Sequence, residues 1–144
     1  MASLGGYLEV SKALLANGAD ANSRDKNGWT ALHLASHGGY LAISRSLLDN
    51  GADINSRDND GWTPLHRASD RGHIDVSQAL LESGADTNSR DSYNRVPLHR
   101  ASAIGCQGVV SVLLKHGGDV GVREKVSVCI PLDSTLQGGY LRLF

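Results

Sequence analysis

The stretch from Asp58 to Arg90, DNDGWTPLHRASDRGHIDVSQALLESGADTNSR, is 33 residues long, and the chain states it again on both sides. Asp25 to Arg57 reads DKNGWTALHLASHGGYLAISRSLLDNGADINSR, and Asp91 to Arg123 reads DSYNRVPLHRASAIGCQGVVSVLLKHGGDVGVR. Laid together without a gap, the first two copies agree at 18 of 33 positions. A fixed period of this size constrains the fold more than any other signal. Each copy is one supersecondary unit, too small to bury its own apolar face, so successive copies must stack.

Each copy has the same internal grammar. Asp25–Gly28 and Asp58–Gly61 open the first two copies with residues suited to a tight turn. Thr30 and Thr63 then follow as helix caps, and Pro64 and Pro97 fit the first helical position, where no amide hydrogen is needed. Leu32, Leu65 and Leu98 mark the buried side of a first helix, which Gly39, Gly72 and Gly105 are expected to end. A second helix carries Ile43, Leu47 and Leu48, then Val76, Leu80 and Leu81, then Val109, Leu113 and Leu114, each set on one wide face. Gly51, Gly84 and Gly117 stop it. The third copy departs from the pattern: Asn94, Arg95 and Val96 replace Gly, Trp and Thr. Asn tolerates the left-handed turn, but Val96 has no oxygen with which to cap.

GWTPLHRAS, the Gly72-His73 pair and ALLESGADTN closely resemble the ankyrin repeat. The resemblance covers nearly the whole chain. Residues 1–24 form a partial repeat, 25–57, 58–90 and 91–123 are full repeats, and 124–144 form a degenerate partial one, together a single domain. It implies an all-α solenoid of stacked helix-turn-helix units joined by β-turn or hairpin loops. It also implies that the recurring His33, His66 and His99 are structural. Among the flanks, Tyr7–Ala16 is expected to be a second helix with Leu14 and Leu15 inward. The segment around Tyr140–Phe144 is too short for a stable helix.

Composition removes several classes of function. A net charge of −1 argues against a general nucleic-acid or membrane surface. No apolar run approaches the ~20 residues that span a bilayer, and Met1–Gly6 has neither the basic start nor the apolar core of a secretory signal. These features predict an intracellular protein, in cytoplasm or nucleus. Cys106 and Cys129 make no disulfide framework.

The repeated polar residues look like chemistry but read better as architecture. Helices in adjacent repeats lie about 8–10 Å apart, whereas zinc needs each nitrogen at about 2 Å, so the three histidines cannot converge on a metal. Each is expected to bond turn backbone or the preceding Thr hydroxyl. Asp20, Asp53, Asp86 and Asp119 are expected to hold turns, and Arg24-Asp25, Arg57-Asp58 and Arg90-Asp91 to form a surface charge ladder. Neither Cys106 with His99 nor Ser77 with His73 has a third orienting group. The sequence predicts no enzyme and no cofactor.

Positions that vary from copy to copy are free to bind. In the family that this chain resembles, the turn tip and the outer face of the first helix line a concave surface. Here that gives Lys26, Asn27, Trp29, Leu34 and His37, then Asn59, Asp60, Trp62, Arg67, Asp70 and Arg71, then Ser92, Tyr93, Arg95, Arg100 and Ile104. The candidate partner-binding residues are Lys26, Trp29, His37, Trp62, Arg67, Arg71, Tyr93, Arg95 and Arg100, since Trp, Tyr and Arg dominate energetic hot spots. Five cations against Asp60 and Asp70 give the face a charge of +3, which predicts a protein partner with an acidic and apolar segment. The alternative for Trp29 and Trp62 is that they shield the turns from water. Alternative roles for the chain are a fragment of a larger signalling or adaptor protein whose repeats set partner choice, or a small kinase inhibitor of the ankyrin type. Uncapped terminal repeats also predict end-to-end self-association.

Overall fold

A computed structural model describes residues 16–118. The expectations for Tyr7–Leu15, for Asp119 and for 124–144 lie outside those residues, and so do the apolar ends on which end-to-end association was expected. Six helices run in pairs, one pair to each copy: α1 (Ala31–Gly38) with α2 (Leu41–Asp49), α3 (Pro64–Asp70) with α4 (Ile74–Glu82), and α5 (Pro97–Ile104) with α6 (Gln107–Lys115). There is no strand among the described residues. The fold is an all-α stack of repeated helix pairs.

Local chemistry sets the boundaries. The Thr30 and Thr63 hydroxyls accept from the amides of His33 and His66, at 3.4 and 3.3 Å. Pro64 and Pro97 open their helices. Gly39 and Gly105 close α1 and α5 in the left-handed region. The second copy differs slightly from expectation: α3 ends at Asp70 with Arg71 as its cap, and the left-handed Gly72 follows. The N–H groups of Tyr40, His73 and Cys106 turn back onto the carbonyls of Ala35, Ala68 and Ala101 at 2.9–3.1 Å. That bond joins the two helices of a pair through a tight corner, and the second helices start without a side-chain cap.

The first helices stack α1 on α3 on α5, and the second helices follow as α2, α4 and α6. Leu32, Leu65 and Leu98 recur at one helix position, Leu47, Leu80 and Leu113 at another and Ala35, Ala68 and Ala101 at a third, and all are buried in one continuous core. The small alanines let the first helices approach closely. At about 25 cal/mol per Å² of apolar surface, this shared interior is the main favourable term, and it is unavailable to a single repeat.

The turns stack as well. Asp25, Asp58 and Asp91 each accept the amides of the second and fourth residues beyond on Oδ1, at 2.8–3.0 Å. Asn59 N–H donates to the Asn27 carbonyl, and Ser92 N–H to that of Asp60, both at 3.1 Å. Gly28 and Gly61 have φ of +78° and +77°, and a Cβ there would meet the next turn's backbone nitrogen at 2.8 Å. Asn94 takes the same conformation in the third turn, with φ of 64°. On the opposite side, the Asp53 and Asp86 amides donate to Asn22 and Asn55 of the preceding copy, at 2.6 and 2.8 Å.

Candidate functional site

The recurring histidines are structural, and they work across the repeat boundary. His33 Nδ1 accepts from the Thr30 amide at 3.1 Å, and Nε2 then carries the hydrogen to the Trp62 carbonyl at 2.8 Å. His66 does the same with Thr63 and the Arg95 carbonyl, at 3.2 and 2.8 Å. Burial holds both imidazoles below the ordinary histidine range, His66 down to about 4, although the carbonyl bond pulls the other way. With both ring nitrogens engaged, neither is a base or a ligand. His99 Nδ1 accepts from Val96 N–H at 3.0 Å, so α5 is fastened at its start although Val96 offers no hydroxyl.

In front of this layer lies a column of aromatic rings and guanidinium groups. The Arg67 guanidinium carbon is 4.3 Å from the ring centre of Trp29 and 4.3 Å from that of Trp62. Beyond Trp62 come Arg100 at 5.3 Å and Arg95 at 5.8 Å, and Arg95 lies 4.9 Å from the Tyr93 ring. Each such contact contributes about 0.5–2 kcal/mol, more where water is excluded. His37 stands beside the first ring, edge-on to Trp29 at 5.3 Å. Burial first, then the Arg71 and Arg67 charges, keep His37 below the ordinary histidine range.

Every arginine in the column is anchored by an aspartate. Arg67 donates through Nε and Nη2 to Asp58 Oδ2, the Nε bond being 3.0 Å, and lies 3.6 Å from Asp60. Arg95 Nε donates to Asp91 Oδ2 at 2.9 Å. Arg100 donates to Asp70 Oδ1 at 3.0 and 2.7 Å. The side chains of Asp58 and Asp91 are fully out of water. Burial raises the Asp91 carboxyl, but the Arg95 and Tyr93 amides and the Arg95 guanidinium more than offset it, leaving it below the usual carboxylate range.

These contacts correct two expectations. The sequence neighbours Arg24-Asp25 and Arg57-Asp58 do not form a charge ladder: Arg24 reaches instead to the Arg57 carbonyl and the Ser56 hydroxyl, and Asp58 turns inward to Arg67. The charge of +3 omitted the turn aspartates Asp25, Asp58 and Asp91; with all three included the face is neutral, five cations against five aspartates. Adjacent residues in an extended arm point apart, whereas the turn swings Asp58 under α3, a relation that only the fold creates.

The nine candidate residues therefore sit in three settings. Lys26, Arg71 and Tyr93 are exposed. Trp29, His37, Arg67, Arg95 and Arg100 are partly covered within the column. Trp62 is only 8% exposed, closed in by three guanidinium groups. Asp58 and Asp91 escaped the sequence reading as members of the column. The signal was present, since Asp and Arg lie four residues apart in Asp91–Arg95 and nine apart in Asp58–Arg67. Cys106 is a free, half-covered thiol.

The helix pairs, the stacked turns and the boundary-spanning histidines define a solenoid of the helix-turn-helix kind. A sequence model for ankyrin repeats matches three copies over residues 1–91, and one for the single ankyrin repeat matches 93–125; the chain belongs to the ankyrin repeat family. Repeats of this family generally mediate protein–protein interaction and are typically non-catalytic. No curated protein matches the sequence. No helix among the described residues is long and apolar enough to cross a membrane.

Proposed function

We propose that this chain is a non-catalytic interaction module that takes a segment of another protein along its turn tips and first helices, and that the segment carries both apolar and acidic side chains. One observation supports this most directly. Of the four large apolar side chains left exposed among the described residues, three lie on this face: Leu34 at 54%, Tyr93 at 51% and Ile104 at 46%. They occupy positions that change from copy to copy, so the stack does not require them. Lys26 and Arg71 are exposed beside them and carry no ion pair among the described residues. They, rather than the anchored arginines of the column, are the cations open to an acidic partner.

The test is affinity capture with the whole chain against a Lys26→Glu/Arg71→Glu variant and a Leu34→Asp variant. None of these side chains supports the core, so thermal stability should hold. Loss of the captured partner from both variants is expected. A partner that still binds both variants at full strength would place the interaction elsewhere on the molecule.

A further inference from the structure

The three copies can be compared with one another at the same turn, and the first is built differently. In the second copy, Asp58 Oδ1 holds the turn amides while Oδ2 receives Arg67, which is clasped between two indoles. In the third, Asp91 Oδ1 holds the turn amides and Oδ2 receives Arg95. In the first, Asp25 Oδ1 holds the amides of Asn27 and Trp29, at 2.8 and 2.9 Å, but no cation stands on Oδ2 among the described residues. The position that supplies Arg67 in the second copy and Arg100 in the third is Leu34, which points largely into solvent. Two further differences follow. Asp58 and Asp91 are buried, whereas Asp25 is exposed; Trp62 is enclosed, whereas Trp29 is half-covered, with Arg67 the only guanidinium on it among the described residues.

Arg67 therefore has a counterpart setting one repeat earlier: a carboxylate oxygen and an indole face, held by the same turn, that match a guanidinium in charge and shape. A planar guanidinium donates in plane to a carboxylate while presenting its face to an aromatic ring. Lysine can offer the charge but not both contacts at once. The Asp25 carboxylate is also the counter-charge that an acidic side chain would avoid. We propose that Asp25 and Trp29 form an arginine subsite, filled by an arginine of the bound partner segment, which continues the alternation of ring and guanidinium by one step. This deepens the interaction reading above: the partner carries an arginine at Asp25–Trp29 in addition to acidic residues near Lys26 and Arg71.

The probe is Nα-acetyl-arginine amide, titrated into the full chain labelled with nitrogen-15. Saturable shifts are expected at the Trp29 indole N–H and the Asn27 amide, with the Trp62 indole N–H unmoved. Nα-acetyl-citrulline amide, of equal shape without the charge, should bind at least about tenfold more weakly, as should Asp25→Asn; tenfold corresponds to ~1.4 kcal/mol. Leu34→Arg supplies the chain's own guanidinium and should abolish the response while raising the thermal midpoint. Equal response to the citrulline compound, shifts shared by Trp62, or an undiminished response in Leu34→Arg each overturns the subsite. Should Leu34→Arg fail to fold, Asp25→Asn decides, because its remaining oxygen still accepts the turn amides. A failed titration alongside partner capture that depends on Lys26 and Arg71 removes the arginine subsite and leaves the interaction face standing.

Discussion

Arg67 carries its guanidinium onto Asp58, nine residues upstream, whose side chain is wholly out of water. The carboxylate is affordable in that position only because the cation is there. Removing one member of a buried pair typically costs about 3–5 kcal/mol. Arg67 itself keeps some solvent contact, so Arg67→Ala should cost about 2–4 kcal/mol in denaturant unfolding. Arg67→Lys should recover part of the loss, since it restores the charge but not the planar stack between Trp29 and Trp62. An Arg67→Lys variant as stable as the unsubstituted chain would show that the flat geometry contributes nothing.

The two tryptophans should respond differently to truncation, although they are equivalent in the repeat. Trp62 is enclosed, and Trp62→Ala should cost about 3–5 kcal/mol, as large buried aromatics do. Trp29 is half-covered, and Trp29→Ala should cost roughly half that. Equilibrium unfolding of the two variants side by side gives the comparison.

Stability should fall with acid earlier than carboxylates alone would make it. Burial places His33 and His66 below the usual 6.5 in the folded chain, His66 at about 4. The unfolded chain thus takes up these protons first. Stability is full above about pH 6.5 and declines as pH falls toward 4; His66 alone contributes roughly 3 kcal/mol at 1.36 kcal/mol per unit. The depressed Asp91 adds a further loss below its ordinary value of 3.8. Unfolding free energy measured from pH 7.5 to 4 checks the first part, and a His66→Gln variant should flatten that slope.

Val96 is fully buried where Thr30 and Thr63 cap the other first helices. Val96→Thr should place a hydroxyl against the His99 amide and raise stability by about 1 kcal/mol, the usual worth of a side-chain cap. A lowered thermal midpoint would mean that the hydroxyl finds no partner there.

Much of this was readable from spacing. Leu47, Leu80 and Leu113 line up as layers because the 33-residue period returns the same helix face to the same neighbour. Thr30 and Thr63 cap because a hydroxyl three residues before an amide closes onto it locally. Asn94 was readable too, since its left-handed turn is a property of one residue. The column was less legible. Trp29 and Trp62 are identical letters in closely similar surroundings, yet one is enclosed and the other is not, because Trp62 has Arg67 from its own copy and Arg95 and Arg100 from the next, whereas Trp29 has only Arg67 among the described residues. The charge of the face was misread because a contact nine residues away is not local: Asp58 sits beside Arg57 in the sequence but against Arg67 in space.

The hydrogen bond from His33 to the Trp62 carbonyl means that no copy completes its own fastening. His33 and His66 each donate a hydrogen bond forward into the next copy, so these two layers are held at the junction as well as within the module. Opening of the α5–α6 pair strands His66, and opening of the α3–α4 pair strands His33, so the loss of either layer loosens the one before it: a zip whose teeth belong half to one side and half to the other.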